Sequence, residues 1–226
     1  MIQAYNESFG KYNIEYGNFR VKKELNKAQC GQIEAAGVSL YENFYTEEAL
    51  DNGTTLRIFS VRQEVNLPCV MSGALPSAGD EIAIDRMYVV NNGLSIGDRI
   101  SSPNGSWEIC GLVALPDYSC LFQDNADAMF DSIQFGVALV SEADFSALGS
   151  ARLHYSYSWL YNQPPADEAQ EKELADDLMT VLNRETALED FVPRYLNQAI
   201  TFTGEDMGGD RAMMIALLYI VIAIMA

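Results

Sequence analysis

The sequence predicts an α+β fold of two lobes, one β-rich and one mixed α/β, ending in a truncated transmembrane helix. Three observations predict it. Short alternating or apolar runs bounded by Gly, Pro, Asn and Asp recur as far as Tyr161, which is the patterning of strands and turns. One charged stretch, residues 168–184, places Leu174, Leu178, Val181 and Leu182 at helical spacing. Residues 212–226 read AMMIALLYIVIAIMA and carry no charge.

The chain has 226 residues, and 49% of them are apolar, so it can bury a core of one large or two small domains. Its 32 acidic residues against 14 basic ones give a net charge of −18. Nucleic-acid binding needs a basic footprint, so this charge argues against nucleic acid as the main partner. One histidine excludes a multi-histidine metal site and a two-histidine proton relay.

In chain order, residues 1–19 are polar and aromatic and hold no apolar core of signal-peptide length. Residues 18–25 alternate as a strand. Arg20, Lys22, Lys23 and Lys27 form a basic patch, either the solvent face of this strand and the following turn or a contact for acidic headgroups or for the acidic second half of the chain. Asn26 caps a helix over 27–36, which Gly37 stops. Residues 38–45 and 54–61 form a strand pair across the acidic turn EEALDNG. Gly73 and the Pro76–Gly79 turn lead to a strand at 81–84. Asp85 caps a helix to Asn91, and Asn92-Gly93 ends it. Leu94 and Ile96 pack back, and Gly97-Asp98 turns the chain toward Arg99. Residues 107–115 form a strand, 116–130 an acidic loop and 135–140 a strand. Ser141 caps a short helix over 142–148. Residues 152–161 alternate as a strand that Pro164-Pro165 breaks, and Asp167 opens the charged helix. Residues 191–200 are either a helix or a strand.

The final apolar run would span ~22 Å as a helix, short of the ~20 residues that a crossing takes. It covers every helical face, whereas a surface helix keeps a polar stripe. It reads as the start of a transmembrane helix, the alternative being a buried helix or docking tail. Residues 201–211, TFTGEDMGGDR, suit a hinge in water. The chain then reads as an internal fragment with a preceding helix, divided into an extracellular part, 1–210, and a membrane part, 211–226. The two lobes are 18–150 and 151–205, with the first strand a candidate shared element. Cys30, Cys69, Cys110 and Cys120 lack CxxC spacing. They are either free thiols or one or two bridges, with Cys120 to Cys69 one option.

Gly73, Pro76, Glu81, Ile82 and Ile84 are followed by Gly93, Leu94, Ile96, Gly97, Asp98 and Ile100, and then by a return strand holding Gly111. Over these forty or so residues the chain resembles the extracellular domain of FtsX/MacB-type ABC transporter permeases. The resemblance implies a domain between the first and second membrane helices, as in MacB-type periplasmic core domains. It implies localisation at the cell membrane on the extracellular or periplasmic side. It also implies partners: a separate ABC ATPase subunit or domain, a second permease copy, the membrane through 212–226, and an extracellular protein or peptide. The domain would couple ATP-driven helix motion to export of a peptide, lipid or antibiotic, or to activation of a partner. The motif residues themselves serve turns and backbone contacts, with Asp98 accepting backbone N–H groups and Glu81 pairing with an Arg or with backbone.

Motifs for chemistry are missing. The chain has no Walker A loop, GxSxG elbow or HExxH, and no residue is assigned a catalytic, cofactor-binding or metal role. Asp117, Asp124, Asp127 and Asp131 lack the glycine and closing glutamate of a calcium loop. His154 reads as a half-buried neighbour of Tyr155 and Trp159. The competing function is a membrane-anchored extracellular sensor or ligand-binding domain, its pocket lined by Tyr155, Tyr157, Trp159 and Tyr161.

Overall fold

The computed structural model describes residues 2–77, 79–149, 152–202 and 204. The predicted transmembrane segment, 211–226, lies outside them. Among the described residues no helix is long and apolar enough to cross a membrane. The fold is α+β, with two mixed-composition layers of sheet and helix.

Strand pairing does not follow chain order. A helix over Ile2–Lys11 (α1) precedes strand Gly17–Val21 (β1), helix Lys27–Glu34 (α2) and strand Val38–Glu42 (β2). With Tyr155–Tyr161 (β10) and Leu188–Pro193 (β11) these strands form a four-stranded antiparallel sheet in the order β11-β1-β10-β2. One face carries Phe19, Tyr157, Trp159 and Tyr161. Helix Glu168–Glu185 (α5) covers it with Ala175, Leu178 and Leu182 at i, i+3 and i+7. Trp159 is fully buried and stacks on Phe191 at 5.1 Å. Each such side chain contributes about 1.5–3 kcal/mol of burial.

The intervening residues build a seven-stranded mixed sheet. Its strands are Tyr45–Ala49 (β3), Thr55–Ser60 (β4), Cys69–Gly73 (β5), Glu81–Asp85 (β6), Arg99–Ser102 (β7), Gly105–Ala114 (β8) and Phe135–Val140 (β9). The order is β3-β4-β9-β6-β8-β5, with β7 paired to β8. β9 runs parallel to β4 and antiparallel to β6 and is buried at every position. This is why FGVALV is a continuous apolar run instead of an alternating one. Helix Arg86–Asn91 (α3), capped by Asp85, seals one side through Tyr88, whose hydroxyl bonds Thr54. Helix Glu142–Ala147 (α4) follows β9 from its Ser141 cap.

Several expectations need correction. The predicted strand 38–45 ends at Glu42, because Asn43 and Phe44 carry the chain from one sheet to the other. EEALDNG is not all turn: Glu47–Ala49 belong to β3, and the tight turn is confined to Asn52-Gly53, with Gly53 at φ +85. Residues 2–11 are helical, and no signal in that polar stretch marked them. Residues 191–200 are neither simple alternative: β11 ends at Pro193, a 3₁₀ turn spans Arg194–Leu196, and a helix begins at Gln198. All four cysteines are free, so the Cys120–Cys69 bridge does not form. Cys110 donates its thiol to Ile82 O at 3.3 Å. The caps at Asn26, Asp85, Ser141 and Asp167 stand as read, Asn26 with Gln29 as a capping box.

A Cβ built at Gly111 would sit 2.1 Å from Ala74 O, whereas one at Gly31, inside α2, meets nothing within 4 Å. Gly111→Ala should therefore lower the urea-unfolding free energy by about 2–4 kcal/mol. Gly31→Ala should raise it by about 0.5–1 kcal/mol.

Candidate functional site

The residues of the sequence motif lie on the turns and strands at one end of the seven-stranded sheet's order. Gly73 has φ +72, and a Cβ there would lie 2.3 Å from Cys110 O and 3.0 Å from Ile96 Cδ1. Only glycine permits that conformation and that approach together. Gly93 and Gly97 also take positive φ, at +66 and +93. Gly97 donates its N–H to Ile109 O at 2.9 Å, and the Asp98 carboxylate accepts from Ser95 N at 2.8 Å. Glu81 accepts from Ser77 N at 2.9 Å. Pro76, Ile82, Ile84 and Ile100 are buried, Leu94 packs on the same core, and Ile96 stays 44% exposed over Gly73. These residues tie β5, β6, β7 and β8 together and present no reactive group.

A second constellation joins the two sheets. Glu15, in the segment between α1 and β1, is 1% exposed. Its carboxylate accepts from Asn18 Nδ2 and Asn66 Nδ2, both at 2.7 Å, and from the Ser158 hydroxyl. Asn18 and Ser158 lie on the four-stranded sheet. Asn66 lies on the loop linking two strands of the other, and it also accepts from Glu15 N at 3.0 Å. Burial, with the charge of Asp117 adding to it, holds the Glu15 carboxyl above its ordinary 4.5 against those three bonds. Beside it Arg62 Nη1 and Asp117 Oδ1 form a buried pair at 2.6 Å, and the guanidinium lies 4.2 Å from the centre of the Phe59 ring. Arg62 Nε and Nη2 have no hydrogen-bond partner among the described residues.

The chain crosses between the sheets beside this cluster. Tyr45 and His154 exchange backbone hydrogen bonds at 3.3 and 2.8 Å, and their rings stack at 4.6 Å. The β2–β10 pairing thereby runs on into β3. Burial pushes the His154 imidazole below its ordinary 6.5. Next to the crossing a polar cavity of ≈ 90 Å³ is lined by Arg20, Tyr45, Arg57, Tyr118, Asn125 and Asp190, among others. Arg57 fills much of its wall. The guanidinium binds Glu47, the Tyr118 hydroxyl and Gln123 O, and it lies 4.4 Å from the Tyr45 ring centre. Burial works against its charge, but Tyr118, Tyr45 and Glu47 outweigh it and raise its pKa. Burial pushes the Tyr118 hydroxyl up to about 12. A drug-sized ligand takes about 300–1,000 Å³, so this cavity suits waters or a small ion at most.

A wider open groove of ≈ 1090 Å³ runs between Ser39–Phe44 and Phe59–Val65, with Phe145 and Leu153 on its rim. The aromatic stripe proposed for a sensor pocket does not line either space. Tyr157, Trp159 and Tyr161 are 0–7% exposed in the core under α5. The acidic loop also resolves into local bonds: Asp124 accepts from Ala126 N, Asp127 from Asp124 N, and Asp131 from Ile133 N and Gln134 N. Among the described residues no group of three His, Cys, Asp or Glu is placed to hold a metal ion. Glu15, Arg62 and Asn66 were not legible as a cluster. The one local sign was Asn66 before Leu67-Pro68, where the structure has φ +51.

No family model matches the chain, and no curated protein does. Among the solved structures similar to it are two domains of transporter proteins. One is the periplasmic region of MacB from Actinobacillus actinomycetemcomitans, with 10% identity, 90% of this chain and 98% of that one covered, and a TM-score of 0.43. The other is the extracellular domain of the ABC-type transporter YknZ from Gram-positive bacteria, with 12% identity, 78% and 100% covered, and a TM-score of 0.37.

Removing one partner of the buried ion pair strands the other charge. Asp117→Ala should lower stability by about 3–5 kcal/mol, whereas the double change Arg62→Met with Asp117→Leu should stay near the parent. Chemical denaturation of both decides it. The Glu15 carboxyl has a folded-state pKa above the unfolded one, so the folded chain holds that proton more tightly. Its contribution to stability is therefore highest below pH 4.5 and falls as pH rises. Glu15→Gln should gain stability relative to the parent as pH is raised from 4.5 to neutrality, measured as the difference between their denaturation curves at each pH.

Proposed function

We propose that this chain is a non-catalytic extracytoplasmic domain of an ABC transporter permease. It would follow the motion of two membrane helices and pass it to an event outside the membrane. The observation that carries this reading is where the two ends of the domain meet. Arg194, on the turn before the C-terminal helix, donates its N–H to Tyr16 O at 2.7 Å. Its guanidinium lies 4.0 Å from the Tyr16 ring centre and 5.2 Å from that of Phe9 on α1, and it reaches Glu171 at 3.4 Å. The segment that enters the domain and the segment that leaves it are thus clamped at one edge. A domain inserted between two membrane helices needs that closeness, because both helices must reach the same bilayer.

Three further features support the reading. The motif from Gly73 to Gly111 resembles that of FtsX/MacB-type permeases. Residues 212–226 follow the exit segment with no charge. The joint between the sheets is built from hydrogen bonds, a buried ion pair and a β-bridge, and on this reading those contacts would pass displacement between the two layers. The partners on this reading are an ABC ATPase and a second permease copy.

Expressed in cells from its complete reading frame, the domain should be cut by protease added to spheroplasts and protected in sealed inside-out vesicles. The detergent-purified assembly should contain a Walker A ATPase and hydrolyse ATP. Protection in spheroplasts, or an assembly without ATPase, overturns the proposal.

A further inference from the structure

We propose that the loop between β8 and β9, together with the first turn of the C-terminal helix, is an apolar foot that sits in the outer interface of the lipid bilayer. The inference rests on the permease reading above and adds a surface to it.

The loop spans residues 115–134, far longer than a structureless connection normally runs in a compact domain, and loops of that length are usually functional. It is firmly built. Besides its two Asx turns, at Asp124 and Asp131, Cys120 N donates to Ala199 O at 3.1 Å and the Ser119 hydroxyl to the same oxygen at 2.6 Å. Asn125 donates to Leu196 O at 2.9 Å and accepts from Gln198 N at 2.8 Å, and Gln198 Nε2 returns to Asn125 O at 2.6 Å. Loop and exit segment therefore move as one piece.

Between its exposed aspartates that piece also presents an apolar patch to solvent. Phe122, Phe130 and Phe202 pack edge to face with ring centres 5.6–5.7 Å apart. Phe122 is buried beneath, while Phe130 is 36% and Phe202 40% exposed. Met129 beside them is 82% exposed, and Leu196, at the other end of the Asn125 bridge, 56%. Large side chains in one place on a soluble surface mark a contact. Phenylalanine and methionine suit a contact that is apolar and adaptable.

Covalent geometry chooses the occupant. Nine residues separate Phe202 from Ala212, where the uncharged run of fifteen begins. That connection reaches no farther than about 36 Å fully extended, and about 15 Å as a helix. If the run enters the bilayer, the foot is held within that distance of it. The charge on the loop decides the lipid chemistry. Asp124, Asp127 and Asp131 flank the aromatics and repel anionic headgroups, so apolar burial into a zwitterionic interface drives the contact.

The test uses the full chain in vesicles of brominated phosphatidylcholine. Its two native tryptophans, Trp107 and Trp159, are 4% and 0% exposed. Met129→Trp adds an indole at an open position where folding is not at stake. After flotation with the vesicles, the added indole should lose most of its emission to the bromines and resist acrylamide. A chain that floats while that indole remains open to acrylamide and unquenched by lipid overturns the foot alone. The permease reading survives that result, and the patch then belongs to a protein partner. A chain that does not float also overturns the foot, while the permease reading stands or falls on the spheroplast and ATPase results.

Discussion

The carboxylate of Glu15 lies in the interior with only neutral donors on it, and the junction of the two sheets is arranged around that fact. A buried carboxylate must be met by hydrogen bonds on all sides or be neutralised. Here the donors come from β1, β10 and the loop after β4, so satisfying one side chain draws three separated parts of the chain together. Asn66 also holds the linker backbone, and its own N–H reaches Asn13 O at 3.0 Å. The Arg62–Asp117 pair beside it needs equally strict geometry, because two desolvated charges attract usefully only when they stay in contact.

Around that junction the remaining layers divide their work by chemistry. β10 carries aromatic side chains toward α5 and serines toward the junction, so it is buried on both faces for different reasons. The seven-stranded sheet is held by aliphatic packing through β9 and by the close backbone approach at Gly73 and Gly111. The edge where α1, Tyr16 and Arg194 meet belongs to the four-stranded sheet. The four-stranded sheet meets the larger one at the Tyr45–His154 bridge and the Glu15 cluster. The same edge continues into the loop at 119–131 through Ala199 and Gln198. The fold thus places the N-terminal segment, the C-terminal segment and the exposed aromatics on one connected set of bonds.

Much of this was legible in the sequence wherever the determinants are local. Asn26, Asp85, Ser141 and Asp167 cap their helices because a short polar side chain before a helix meets orphan N–H groups, whatever surrounds it. The helix of α5 follows from apolar spacing, and the turns at Gly93 and Gly97 from backbone freedom. The α+β class follows from those elements together. What tertiary structure alone decided is pairing and company: that β2 leaves β3 at Asn43, that β1 and β2 join β10 and β11 across more than a hundred residues, and that Glu15 meets Asn66 and Ser158. Strand patterning encodes which face of a strand is buried but not its neighbour, and a lone glutamate between Ile14 and Tyr16 resembles a surface residue until its donors arrive from elsewhere. Those choices depend on contacts between distant segments, which exist only once the chain has folded.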